Sequence, residues 1–162
     1  MILRPGDRAP DFRVSDQFGS TLHLAEVLRR STVILVFFPF AFSPVCGDEI
    51  KALDDLGQSM ATESEPVEII GISVDSKYTL AAWSEVREID FDLGSDFWPH
   101  GEVAKSYGVF DDEHGVAERG VFVISSTGTI VSSRQVARTE AREFSADVAH
   151  ARAHCGSGAT AL

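Results

Sequence analysis

Cys46 and Cys155 are the only two cysteines in a chain of 162 residues. A cysteine does chemistry as its thiolate, so the first question is whether either sits where a thiolate is favoured. Cys46 closes the stretch FFPFAFSPVC, residues 37–46. In that stretch Ser43 is a good helix N-cap, and Pro44 suits the first helical position, where its missing N–H costs nothing. Cys46 then falls three residues after the cap. There the unpaired N–H groups and the positive end of the helix dipole favour a thiolate. Composition alone would make Cys46 a small buried hydrophobe. The cap, the proline and the spacing together point to a nucleophile. A Cys-x-x-Cys dithiol does not arise, because Glu49 stands where its second cysteine would be.

Cys155 lies 109 residues downstream (155 − 46), between a helical pattern and the tail GSGATAL. It is the only other thiol that could react with an oxidised Cys46. His150 and His154 are spaced i, i+4 on the same predicted helix, with Cys155 adjacent, and these are zinc-ligand types. No fourth ligand accompanies them, so the expectation is no metal and no organic cofactor.

The bulk of the sequence is that of an ordinary water-soluble globular protein: 44% hydrophobic and 24% charged residues. Net charge is −11 (14 basic minus 25 acidic), which disfavours nucleic acid and anionic membranes as partners. The longest apolar run, Val33 to Phe42, is broken at Pro39 and is far short of the ~20 residues of a membrane helix. The N-terminus MILRPGDRAPDF is too charged for a secretory signal. Two cysteines in such a chain suggest reduced thiols and a cytoplasmic location.

These residues need elements to position them. Phe12–Val14 and Thr21–Leu24 read as an N-terminal hairpin across SDQFGS. Thr32–Phe38 (TVILVFF) and Val67–Val74 are continuous apolar runs, hence strands buried on both faces. A helix is expected from Pro44 to Met60, an amphipathic one over Thr79–Ile89 and a short one over Val103–Tyr107. Gly120–Ser125 and Ile130–Val136 flank the turn STGT as a second hairpin. The last helix is expected over Thr139–His154, with Thr139 as cap. Strand–helix–strand–helix, then hairpin and helix, predicts an α/β, thioredoxin-like fold: a mixed central sheet with helices on both faces and the N-terminal hairpin as an extension. Residues 1–155 would be one domain and 156–162 a flexible tail. Cys46 would then lie just past the carboxyl end of a central strand, where open α/β sheets bind ligands.

Pro39-x-x-x-Ser43-x-x-Cys46 resembles the active-site signature of the peroxiredoxins. The resemblance extends from PGDRAPDF to the strand after Arg119. With FFPFAFSPVCGDE, SDFWPHGEVAKSYGVF and ERGVFVIS it is closest to the one-cysteine alkyl hydroperoxide reductase E type. It implies a thiol-dependent peroxidase in which Cys46 attacks a hydroperoxide and becomes a sulfenic acid. Ser43 would hydrogen-bond the peroxide, Pro39 would shape and shield the pocket, and Arg119 would stabilise the thiolate and the departing oxygen. Glu49 would orient the arginine side of that network, against the plain alternative of a solvated helix charge. An external thiol would reduce the sulfenic acid: mycothiol, a mycoredoxin-like protein or a thioredoxin-like one. A homodimer is also implied, with Phe97, Trp98 and Pro99 contributing to its face. Lys51 stands where some relatives place a resolving cysteine. The alternatives are a two-cysteine peroxidase closed by Cys155, a peroxide sensor or holdase, and an inert binding module of the same fold. Phe38, Phe40 and Phe42 suggest an apolar approach to Cys46.

Overall fold

The computed structural model describes residues 1–60 and 66–155. The expected tail from Gly156 lies outside the described residues. The chain begins with strands β1 (Arg13–Asp16) and β2 (Thr21–His23), the short helix α1 (Leu24–Leu28) and strand β3 (Thr32–Phe37). Helix α2 (Pro44–Met60), strand β4 (Val67–Ser73), helix α3 (Lys77–Arg87), strand β5 (Asp92–Ser95) and helix α4 (Glu102–Ser106) follow. Strands β6 (Phe110–Asp111), β7 (Val116–Ala117), β8 (Gly120–Ile124) and β9 (Ile130–Gln135) precede the last helix, α5 (Ser145–Cys155).

Seven strands form one mixed sheet in the order β2-β1-β5-β4-β3-β8-β9, and β6 pairs with β7 beside it. The three central neighbours β3, β4 and β5 are parallel, as crossover helices α2 and α3 require. The other pairings are antiparallel. Strand β3 is buried at every residue, and its side chains divide by face. Val33, Leu35 and Phe37 pack with Leu24, Val27, Val103 and Tyr107. Ile34, Val36 and Phe38 pack with Cys46, Ile50, Leu53, Leu80, Trp83 and Val148. Each such side chain contributes roughly 1.5–3 kcal/mol on burial, so the site rests against a fully packed layer.

Several elements differ from the sequence expectation. Leu24 opens α1 rather than ending β2. Strand β5, DLGS, is too short and polar to stand out, yet it pairs with β4 over four residues. The β6–β7 hairpin is likewise two residues a side. The last helix starts at Ser145, six residues later than expected. Ser145 N–H donates to Glu143 Oε1 at 2.8 Å there, while Arg142 and Phe144 of the preceding segment are buried.

Candidate active site

Phe38 ends the buried run, and its N–H still pairs with Ile72 O at 3.1 Å. Pro39, which cannot donate a ladder bond, stops the strand. The loop that follows is pinned at its middle: Ala41 N–H donates to Asp75 Oδ2 at 2.8 Å, and Ser73 Oγ donates to the same oxygen at 2.7 Å. Phe42 is held in the left-handed region at φ 65°, a conformation that costs a bulky residue on the order of 1–2 kcal/mol. Ser43 then occupies the cap position of α2, where its carbonyl accepts from Gly47 N–H at 3.2 Å. Cys46 follows in the first turn and is only 4% exposed.

Behind Cys46 stands a charged cluster that the sequence predicted in part. Glu49, one turn along α2, is buried and accepts a hydrogen bond on Oε1 from Arg119 Nη2. The same oxygen accepts from Arg142 N–H at 2.9 Å, and Oε2 lies 3.3 Å from Arg142 Nε. Arg142 Nη1 reaches Phe37 O at 2.7 Å, the carbonyl at the end of β3. Arg119 Nη1 donates to Ala137 O at 2.6 Å and to Glu140 O at 2.7 Å. Both arginines are buried.

Sequence reasoning missed Arg142. It lies inside the stretch expected to be the last helix, where an arginine is ordinarily a solvent-facing charge. No residue pattern around Arg142 marks it, since its burial and its partners exist only in the folded chain. Burial lowers the Arg142 guanidinium to about 10. Glu49 and a Cys46 thiolate act to raise it, while Arg119 acts to lower it. Arg142 is therefore still cationic at neutral pH.

The charge count decides what this cluster can do. Among the described residues, one carboxylate between two guanidiniums leaves one buried positive charge unmatched, which is costly in a low-dielectric setting. An anion beside the cluster would supply the missing negative charge. Arg119 Nε and Arg142 Nη2 are buried and have no hydrogen-bond partner among the described residues. Such donors are available to an anion or to oxygens arriving beside the sulfur.

The other candidates fall elsewhere. Phe38 is fully buried against Trp83, with ring centroids 5.1 Å apart, so it does not line an approach. Phe40 and Phe42 are about half exposed, and Tyr78, Phe97 and Trp98 are more open still. His154 Nδ1 pairs with His150 O at 2.9 Å, and His100 Nε2 with Gly115 O at 2.6 Å. Among the described residues no group of three or more His, Cys, Asp or Glu side chains is placed to hold a metal ion.

Cys155 is far from Cys46. Helix α5 runs back along β3 from the Arg142–Phe37 contact, and it ends with Cys155 Sγ 3.9 Å from Pro66 O. Pro66 O accepts from Thr32 N–H, at the opposite end of β3. The six residues of β3 span roughly 17–20 Å at roughly 3.3 Å each, whereas a disulfide needs Cα atoms within roughly 7 Å.

Residues 5–133 match the AhpC/TSA family. The chain belongs to it. Alkyl hydroperoxide reductase E of Mycobacterium tuberculosis is 38% identical over 129 residues, covering 80% of this chain and 83% of that protein. A chloroplastic 2-cysteine peroxiredoxin of Chattonella marina is 35% identical over 143 residues, covering 82% and 71%. The crystal structure of peroxidoxin BcpB from Mycobacterium tuberculosis superposes with a TM-score of 0.81 at 30% identity, over 93% of this chain and 97% of that one. Enterococcus faecalis AhpC superposes at 0.82 with 24% identity, over 94% and 92%, which speaks to the fold. The thioredoxin-like α/β architecture and the peroxiredoxin resemblance of the sequence thus stand, and this peroxiredoxin is a thiol-dependent peroxidase.

Proposed function

We propose that Cys46 is the peroxidatic residue and that it works with Arg119, Arg142, Glu49, Ser43 and Pro39 on hydrogen peroxide and organic hydroperoxides. The observation that carries this reading is the unmatched positive charge, with two unpartnered guanidinium donors, beside a buried thiol at a helix start. The Cys46 thiolate attacks the terminal peroxide oxygen, an S–O bond forms and the O–O bond breaks. The electron pair leaves with the second oxygen as hydroxide or alkoxide, which takes up a proton and departs as water or alcohol. Arg119 and Arg142 offset the charge that grows on that leaving oxygen. Ser43 donates to the bound peroxide through its hydroxyl, Pro39 walls the pocket, and Glu49 holds the two guanidiniums apart.

Cys46 is left as a sulfenic acid. An external thiol condenses with it, releasing water and forming a mixed disulfide, and a second thiol then frees Cys46. The separation of Cys155 from Cys46 supports this one-cysteine cycle over closure within one chain. A small thiol of the mycothiol class or a mycoredoxin- or thioredoxin-like protein is the proposed reductant, in the cytoplasm, where both free thiols would persist. The exposed Tyr78, Phe97 and Trp98, which line one surface pocket, are the proposed homodimer contact. The half-exposed Phe40 and Phe42 are expected to favour apolar hydroperoxides, an idea that equal rates for a fatty-acid hydroperoxide and hydrogen peroxide would remove.

Stopped-flow mixing with one equivalent of peroxide, followed by non-reducing mass spectrometry, tests the cycle. The expected product is a Cys46 sulfenic acid or external adduct, with Cys155 still free. Peroxide consumption by Cys46→Ser at the wild-type rate would sink the reading, and a Cys46–Cys155 disulfide within one chain would sink its one-cysteine form.

A further inference from the structure

The Arg119 guanidinium is held by a turn that little else holds. Its Nη1 donates to the carbonyls of Ala137 and Glu140 at 2.6 and 2.7 Å, and Glu140 N–H donates to Ala137 O at 3.0 Å. Residues 137–140 are all exposed, so no apolar burial fixes them. Val136 N–H reaches Arg119 O at 3.0 Å on one side of the turn. Within the turn, Arg138 Nη2 donates to Asp111 Oδ2.

Asp111 is a rigid anchor. Its Oδ1 accepts from Glu113 N–H at 3.0 Å and from His114 N–H at 3.1 Å, and its Oδ2 pairs with His114 Nδ1 at 2.7 Å. It lies on β6, and the β6–β7 hairpin closes with Glu118 N–H on Val109 O at 2.7 Å, one residue before Arg119. The backbone that delivers Arg119 and the turn that receives its guanidinium are thus joined a second time through Asp111 and Arg138.

We propose that Asp111 and Arg138 are positioning residues for Arg119: their ion pair holds Ala137 O and Glu140 O where they aim the guanidinium at the reacting oxygens. This rests on the peroxidase role assigned to Arg119 above. Arg138 is about half exposed, and a pair so open to water adds little to global stability. Its effect is therefore read in rate, because small misplacements of a charge-stabilising group carry large kinetic penalties.

The test uses the full chain in a Cys155→Ser background, so that Cys46 is the only thiol. Arg138→Ala, Arg138→Lys and Asp111→Asn are compared with the parent. Two rate constants are measured for Cys46: oxidation by hydrogen peroxide and alkylation by iodoacetamide, which needs the thiolate but not an aimed guanidinium at a leaving oxygen. Arg138→Ala and Asp111→Asn are expected to lower the peroxide rate constant about tenfold, with alkylation within twofold and the thermal midpoint nearly unmoved. Arg138→Lys is expected to recover most of the loss. Peroxide rates within twofold of the parent for both Arg138→Ala and Asp111→Asn overturn the proposal. Equal losses in both reactions overturn it too, since they mean general loosening around Cys46. If the parent itself fails to consume peroxide, it is the peroxidase reading that has failed.

Discussion

At Cys46 and its partners, the energetics follow from one carboxylate serving two cations. Removing Glu49 leaves two buried guanidiniums facing each other, and Glu49→Gln is expected to destabilise the fold by about 3–5 kcal/mol in urea unfolding. Arg142→Ala removes the bond to Phe37 O and one of the unpartnered donors, and is expected to slow Cys46 oxidation about 10²- to 10³-fold. Because burial brings Arg142 down to about 10, its cationic form is present below that pH and is lost as pH rises through it. The wild-type peroxide rate should therefore fall as pH passes about 10, and Arg142→Gln should lack that step when the two profiles are divided. The signature Pro39, Ser43 and Cys46 was legible because local chemistry specifies it: a strand stop, a cap and a helix start. Arg142 was not, because its partners come from β3 and α2, about a hundred residues earlier in the chain.

Elements that the sequence marks most plainly are those with long apolar periods. Strands β3 and β4 and helix α2 fall where residue pattern places them, since each buries a continuous face. Strand β5 and the β6–β7 hairpin owe their existence to neighbours: a four-residue polar strand forms only because β4 offers it a paired edge. The late start of α5 is a tertiary override, in which Arg142 makes three contacts at the site in place of one more helical turn. The loop before α2 is likewise set from outside, by Asp75. Asp75→Ala strands Ala41 N–H and Ser73 Oγ, and is expected to cost about 1–3 kcal/mol and to slow peroxide oxidation more than it slows alkylation by iodoacetamide. Differential scanning calorimetry and the two rate constants check both halves.

For the molecule as a whole, the exposed Tyr78, Phe97 and Trp98 stand together around one surface pocket. Large exposed apolar patches mark contact surfaces, so on the proposed homodimer Trp98→Glu and Tyr78→Glu are each expected to shift the mass toward monomer in analytical ultracentrifugation. Retention of the wild-type mass by both variants would move the interface elsewhere. The parity of β3 has a further consequence. Odd-numbered residues from Val33 to Phe37 send their side chains into the layer with Tyr107, and even-numbered ones from Ile34 to Phe38 into the layer with Cys46. A library randomised at odd positions should yield variants that differ in how much protein survives heating while each surviving molecule turns over alike. One randomised at even positions should yield variants whose turnover itself scatters. The strand thus separates, one residue at a time, the part of the protein free to drift from the part tied to its chemistry.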